Sequence, residues 1–255
     1  MRRHDIHVSI RHALALFVLL PALALAEGHI VAADGFDAEL SPKLWRFDKL
    51  AKGAAAIQST QVRSGPAALE ITLRPDDPSP EISAGDSERD ELQEADRFNA
   101  QEGEVHEYRF SIRIPADFPI VDRRLVIAQW KQDTHGRSVK VDNPVVALRY
   151  VGGELSATVQ DSAEKRIIGR LKEDLRDRWL DLVVRIRHSR AAGFVSINVN
   201  GKRLADYHGP TAYSENLGYP PVATFYFKMG LYRDDMKQPM KIYIDDYSKT
   251  LLSAN

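Results

Sequence analysis

Along most of the chain, apolar and polar residues alternate with a period of two. Tyr108, Phe110, Ile112 and Ile114 alternate with Arg109, Ser111 and Arg113, and Pro115 closes the run. Leu180, Leu182, Val184 and Ile186 repeat the pattern against Asp181, Arg185 and Arg187, as do Val195, Ile197 and Val199 against Ser196, Asn198 and Asn200. Successive side chains of a strand point to opposite faces, so each run predicts a strand with one buried face. Asn200-Gly201 predicts a tight hairpin, because both residues tolerate positive φ. Denser apolar runs at 125–132 and 145–151 predict inner strands, and Ile242 and Ile244 mark a closing one. Helical periodicity is scarce; its best window, 163–179, is interrupted by Gly169. Many short strands without alternating helices predict an all-β sandwich or jelly roll in a single domain. Residues 74–104, acidic and turn-rich, and residues 207–222, rich in Gly and Pro, read as long loops that carry function.

The first 26 residues stand apart. Arg2, Arg3, Arg11 and His12 precede an apolar run at 13–25 that ends in Ala24-Leu25-Ala26, which reads as a signal peptide cleaved after Ala26. The run is short for a membrane span, and Pro21 interrupts it. The expectation is a domain over residues 27–255, secreted or periplasmic, monomeric and free of the membrane once cleaved. The chain carries 35 Lys and Arg against 36 Asp and Glu, and removing residues 1–26 leaves 32 against 35. That balance gives no global field for nucleic acid. The absence of cysteine excludes disulfides, thiolate metal sites and a cysteine nucleophile. No G-x-S-x-G elbow, P-loop or dinucleotide glycine pattern occurs. His106-Glu107 does not begin a zincin motif, since Phe110 stands where the second histidine belongs; His106 and His188 read as core residues.

Three stretches rise above this background: Glu88-Arg-Asp-Glu-Leu92, Ala128-Gln-Trp-Lys-Gln132 and Tyr226-Phe-Lys-Met-Gly-Leu-Tyr-Arg233. On a strand, Tyr226, Lys228 and Tyr232 share one face with Gly230 between them, while Phe225, Phe227, Met229 and Leu231 fill the other. Glycine there lets a ligand approach the backbone. Gln129 and Lys131 share a face within an apolar run, and a glutamine on an inner strand must either join a polar network or line a cleft. Arg89 and Glu91 form another same-face pair.

In this order the three stretches resemble the jelly-roll polysaccharide lyases, the superfamily of alginate lyases, glucuronan lyases and the heparin lyase I type. Those enzymes carry R-x-E-L, Q-x-H and Y-x-K-x-G-x-Y strands on one concave sheet. Here they read Arg89-Asp-Glu-Leu92, Gln129-Trp-Lys131 and Tyr226-Phe-Lys-Met-Gly-Leu-Tyr232. Arg178-Trp-Leu-Asp-Leu-Val-Val-Arg185, Gly193 and Val199-Asn-Gly201 resemble the family's middle, so the likeness covers roughly residues 85–247. Lys131 stands where the family usually has a histidine.

The resemblance implies a concanavalin A-like β-jelly-roll and β-elimination on an acidic, uronate-containing polysaccharide, with no cofactor required. A uronate lyase removes the C5 proton beside the carboxylate and expels the C4 oxygen. Arg89, Gln129 and Lys228 are expected to neutralise the uronate, and Tyr232 to act as base and then acid, its pKa depressed by neighbouring cations such as Arg233. Glu91, Lys131, Tyr226 and Arg233 complete the expected substrate-binding set. His135, in a Thr-His-Gly turn, is expected to swing into the cleft and help. For glucuronate- and mannuronate-type polymers the C5 proton and C4 oxygen share one side of the ring, so one tyrosine serves both; this is the expected substrate. Two other readings stay open: a jelly-roll glycoside hydrolase using Glu88, Asp90 and Glu94, and a non-catalytic sugar-binding module. Asp34 and Asp37 could meet Asp245 and Asp246 and supply oxygen ligands for a structural calcium, with Asp37 and Asp246 as the candidates; the competing reading is that they are ordinary solvated turn carboxylates.

Overall fold

The computed structural model describes residues 28–75 and 87–253; the expected signal peptide lies outside them. In chain order the strands are β1 (Gly28–Asp34), β2 (Trp45–Arg46), β3 (Ala55–Gln58), β4 (Ala68–Leu73), β5 (Ser87–Glu94), β6 (Ala100–Gln101), β7 (Val105–Ile114) and β8 (Leu125–Gln132). They continue as β9 (Val146–Val151), β10 (Glu154–Gln160), β11 (Lys165–Leu171), β12 (Arg178–Arg187), β13 (Gly193–Val199), β14 (Lys202–Gly209), β15 (Thr224–Asp234) and β16 (Met240–Leu252).

Two antiparallel sheets form a sandwich. One runs β14-β13-β12-β7-β16-β4-β3 with β1 added to β16; the other runs β11-β10-β9-β8-β15-β5-β2 with β6 added to β15. The apolar positions of the alternating runs meet between them: Phe110, Ile112, Leu182, Val184, Ile197 and Ile244 from the first sheet, Leu92, Trp130, Leu148, Phe227 and Leu231 from the second. Phe227 centres an aromatic cluster, 4.9 Å from Trp130, 5.2 Å from Tyr108 and 5.5 Å from Phe110. Burying each such ring contributes about 2–3 kcal/mol. One ion pair also bridges the layers. Lys249 of β16 donates to Glu94 of β5 at 3.0 Å and to the Phe98 carbonyl, while Tyr247 donates to the other Glu94 oxygen.

The window 163–179, the best for helical periodicity, holds β11 and the start of β12, and Gly169 lies so close to β14 that a Cβ would sit 2.1 Å from the Leu204 carbonyl oxygen. One expectation is corrected. Residues 74–104 are not one loop, since β5 runs through them in the middle of a sheet. Its inward carboxylates each have a partner: Glu88 pairs with Arg233, Asp90 accepts the Ala51 N–H at 2.7 Å, and Glu94 takes Lys249 and Tyr247.

The segment after β14 is held down. Tyr213 and Tyr219 are buried and stacked with centroids 4.9 Å apart. Arg190 donates to the carbonyls of Tyr213, Pro220 and Pro221. His106 and His188 are buried as expected. His188 stacks on Phe225 at 3.9 Å, and burial pushes its pKa down to about 3. Among the described residues no helix is long and apolar enough to cross a membrane.

Candidate active site

Three neighbouring strands assemble the cleft. β15 lies between β5 and β8, and the register sets Lys228 beside Gln129 and Gln93, Tyr226 beside Lys131, Gly230 beside Glu91, and Tyr232 beside Arg89. Gly230 makes this register attainable. Its φ is +144°, and a Cβ there would lie 2.3 Å from the Asp90 carbonyl oxygen and 2.8 Å from Glu91 Cα. An irregularity between Met229 and Tyr232 shifts the ladder with β8, so Tyr232 faces Val126, which in turn pairs with Arg149 of β9. A bulge of this kind re-aims a side chain without breaking the sheet.

Glu91 forms the floor, fully buried. Gln129 donates to its Oε1 at 2.5 Å, Arg89 Nε lies 3.3 Å from Oε2, and Lys228 Nζ lies 4.0 Å from the same oxygen. This carboxylate faces three of the groups expected to bind the uronate. Lys228 is only 2% exposed, and burial draws its pKa down to about 7; Glu91 opposes this, while Arg89, Lys131 and Lys49 add to it. Burial pushes the Tyr226 phenol well above its ordinary value, leaving it a neutral hydrogen-bonding group.

Tyr232 is different. Arg89 and Arg124 lie over its ring at 4.3 and 4.5 Å from the centroid, and Arg124 also donates to the phenol oxygen at 3.0 Å. Burial alone raises a phenol's pKa, but the two guanidiniums and hydrogen bonds from Ser87 and Arg124 outweigh it, and the net direction is downward. Arg124 is itself oriented by Asp234, which accepts its Nε at 2.7 Å and its backbone N–H at 3.1 Å.

The structure thus brings together Arg89, Glu91, Gln129, Lys131, Tyr226, Lys228 and Tyr232. It does not bring Arg233 to them, and it sets His135 at the Tyr226 end of the cleft, beside Thr224 and away from Tyr232. Arg233 has the opposite parity to Tyr232, points inward, is fully buried, and donates to Glu88 at 2.6 Å and to the carbonyls of Gln238 and Met236. The cations at the phenol are Arg124 and Arg89 instead. His135 sits in an exposed turn with φ +50°, held by its N–H to Asp133, and its Nε2 lies 2.9 Å from Thr224 Oγ1. Thr224 begins the strand that carries Tyr232 eight residues later, a separation of about 27 Å at strand rise. Lys131, at the family's histidine position, is paired with Asp142 at 2.8 Å.

Three of the four aspartates considered for calcium accept hydrogen bonds within the chain. Asp34 accepts from Phe36 N–H and Trp45 Nε1, Asp245 from the backbone of Arg63, Ser64 and Asp246, and Asp246 from Ser64 Oγ. Asp37 lies against Gly65, the residue next to Ser64. Among the described residues no three acidic or histidine side chains are grouped to hold a metal ion. The hydrolase candidates Glu88, Asp90 and Glu94 all face the core, away from the cleft.

Sequence reasoning missed Arg124, Arg149 and Lys165 beside Tyr232. Arg149 had a visible signal, being the one charged residue in the apolar run 145–151.

Solved structures share this architecture at low identity. An endo-β-1,4-glucuronan lyase from the fungus Trichoderma reesei is 17% identical, with 87% of this chain and 95% of that one covered and a TM-score of 0.67. An alginate lyase of polysaccharide lyase family 7 is 14% identical over 88% and 100%, TM-score 0.55. The catalytic domain of a laminarinase, an endo-1,3-β-glucanase from Thermotoga petrophila, is 14% identical over 91% and 100%, TM-score 0.57. Lyase and hydrolase alike use the fold, so these likenesses establish architecture and leave chemistry to the side chains. No curated protein sequence matches the chain. The family described as polysaccharide lyase matches residues 28–248, from the first strand into the last and across every residue of the cleft, and the chain belongs to that family.

Proposed function

We propose that this lyase cleaves a uronate polymer by syn β-elimination, with Tyr232 as both base and acid and with glucuronate- or mannuronate-type sugars as substrate. The observation that carries the reading is the Tyr232 phenol set between Arg89 and Arg124, its pKa held down despite burial.

The chemistry follows from the charges. The uronate carboxylate lies against Arg89, Lys228 and Gln129, which offset the negative charge that builds at C5 as its proton leaves. Glu91 keeps those donors in place. A bound carboxylate favours the ammonium form of Lys228 and so restores the charge that burial suppresses. The Tyr232 phenolate takes the C5 proton; the electron pair of that C–H bond becomes the C4=C5 double bond; the C4–O bond breaks, and the phenol hands its proton to the departing oxygen. One residue can do both only where proton and leaving oxygen share a face of the ring. The distance of His135 from Tyr232 and the engagement of Lys131 with Asp142 support the single-tyrosine route. The apolar segment at 13–25 with its small-residue end supports export to the periplasm or beyond, where such polymers are met.

The test is ultraviolet absorbance of unsaturated product from glucuronan, polymannuronate and polyguluronate. Product from the first two, with polyguluronate slow, is expected. Preference for polyguluronate overturns the syn assignment, and new reducing ends without absorbance overturn elimination.

A further inference from the structure

Beside Tyr232, on the side away from Arg89, lies a pocket of about 280 Å³ lined by Arg124, Val126, Arg149, Gln160, Lys165 and Tyr232. The elimination chemistry above uses Arg124 from this set and leaves Arg149 and Lys165 unemployed. Arg149 stands on β9 in the cross-strand row Arg89, Tyr232, Val126, Arg149. At the spacing of neighbouring strands, Arg89 is about 5 Å to one side of Tyr232 and Arg149 about 10 Å to the other. Lys165 opens β11 at the end of the turn after Gln160, and the buried Gln160 amide fixes that turn by donating to the Ser162 and Ala163 carbonyls.

Arg149 makes a single side-chain hydrogen bond, to Thr158 Oγ1 at 3.3 Å, and among the described residues neither Arg149 nor Lys165 forms an ion pair; the nearby Asp234 is taken by Arg124. They also repel one another. Lys165 is pushed below its ordinary value first by Arg149, and Arg149 by burial and then by Arg124. Like charges gathered in a pocket cost stability when it is empty and are relieved when an anion enters. A planar guanidinium beside an ammonium suits a carboxylate.

We propose that Arg149 and Lys165 form a second anion-binding subsite, which takes the carboxylate of a uronate across the scissile bond from the sugar held by Arg89 and Lys228. The enzyme then selects polymers in which uronates are contiguous over those in which they alternate with neutral sugars. This inference rests on the uronate lyase reading above.

The experiment compares wild type, Lys165→Gln, Arg149→Gln and the double variant on three substrates. These are glucuronan, an unsulfated copolymer of alternating glucuronate and N-acetylhexosamine, and the same copolymer sulfated. Lys165 is exposed, so its variant keeps the fold even if Arg149→Gln does not. Expected are a preference of wild type for glucuronan, a rise in KM on it of roughly tenfold for each charge removed with kcat within about threefold, a shallower salt dependence, and no change on the unsulfated copolymer. An unchanged KM, equal losses on glucuronan and the unsulfated copolymer, or a loss confined to the sulfated one overturns the inference. Wild type that releases no unsaturated product from any uronan overturns the lyase reading as well, whereas an active wild type with unaffected variants overturns this inference alone.

Discussion

Removing Arg124 should shift the pH profile of catalysis in a calculable direction. Arg124 donates to the Tyr232 oxygen at 3.0 Å. At that distance a unit charge stabilises the phenolate by about 1.4 kcal/mol in a water-like dielectric and about 5.5 kcal/mol at an effective dielectric of 20. The Arg124 side chain is 37% exposed, so solvent screening keeps the effect near the lower figure. About 1.4–2 kcal/mol corresponds to between about 1 and 1.5 pH units. Losing the cation disfavours the phenolate, so the phenol pKa rises and the ascending limb of kcat/KM moves to higher pH. Arg124→Gln should therefore lose about tenfold at neutral pH on glucuronan and recover most of that loss in alkaline buffer, with Arg124→Lys in between. The assay is product absorbance across pH, with thermal unfolding as the check on integrity. A limb that does not move, or a loss of equal size at every pH, would refute the assignment of Arg124 to the phenol.

Gly230→Ala should destabilise the fold by roughly 2–4 kcal/mol, because the new Cβ meets the backbone of β5 rather than a side chain that can turn away; a melting temperature within a few degrees of wild type would contradict the register described. Lys228→Met should stabilise the protein by on the order of 2–4 kcal/mol at pH 6 while abolishing turnover. The folded pKa is about 7 against an ordinary 10.5, so between those values the unfolded chain holds a proton that the folded one lacks. Wild-type stability therefore rises with pH across that window, and the variant's advantage shrinks toward pH 10. Denaturant titrations at several pH values would show it; an advantage that is constant with pH would mean that Lys228 is not buried in the charged form.

Strands whose residues alternate were legible because one buried face writes a period of two: β7, β12, β13 and the start of β16 follow it. β5 left no such pattern, since Ser-Glu-Arg-Asp-Glu-Leu-Gln-Glu has almost no apolar content, and only the R-x-E-L resemblance marked it as a strand. It sits in a sheet because distant partners satisfy its inward acids, Arg233 for Glu88 and Lys249 for Glu94, and such pairings are invisible in a local window. The same holds for the cleft. Tyr226, Lys228 and Tyr232 share a strand, so parity placed them together. Parity also argued against Arg233, which adjoins Tyr232 and must therefore point the other way. Arg124 reaches the phenol, and Arg149 the pocket beside it, only across neighbouring strands, through a register set by bulges that no pattern in the chain announces.

The claim that Tyr232 moves the proton is tested most directly by Tyr232→Phe, which keeps the ring between Arg89 and Arg124 and removes only the phenol oxygen. Glucuronan turnover, followed by product absorbance, should fall by roughly two to four powers of ten, with the melting temperature and polymer binding close to wild type. Turnover within about threefold of wild type would contradict the account.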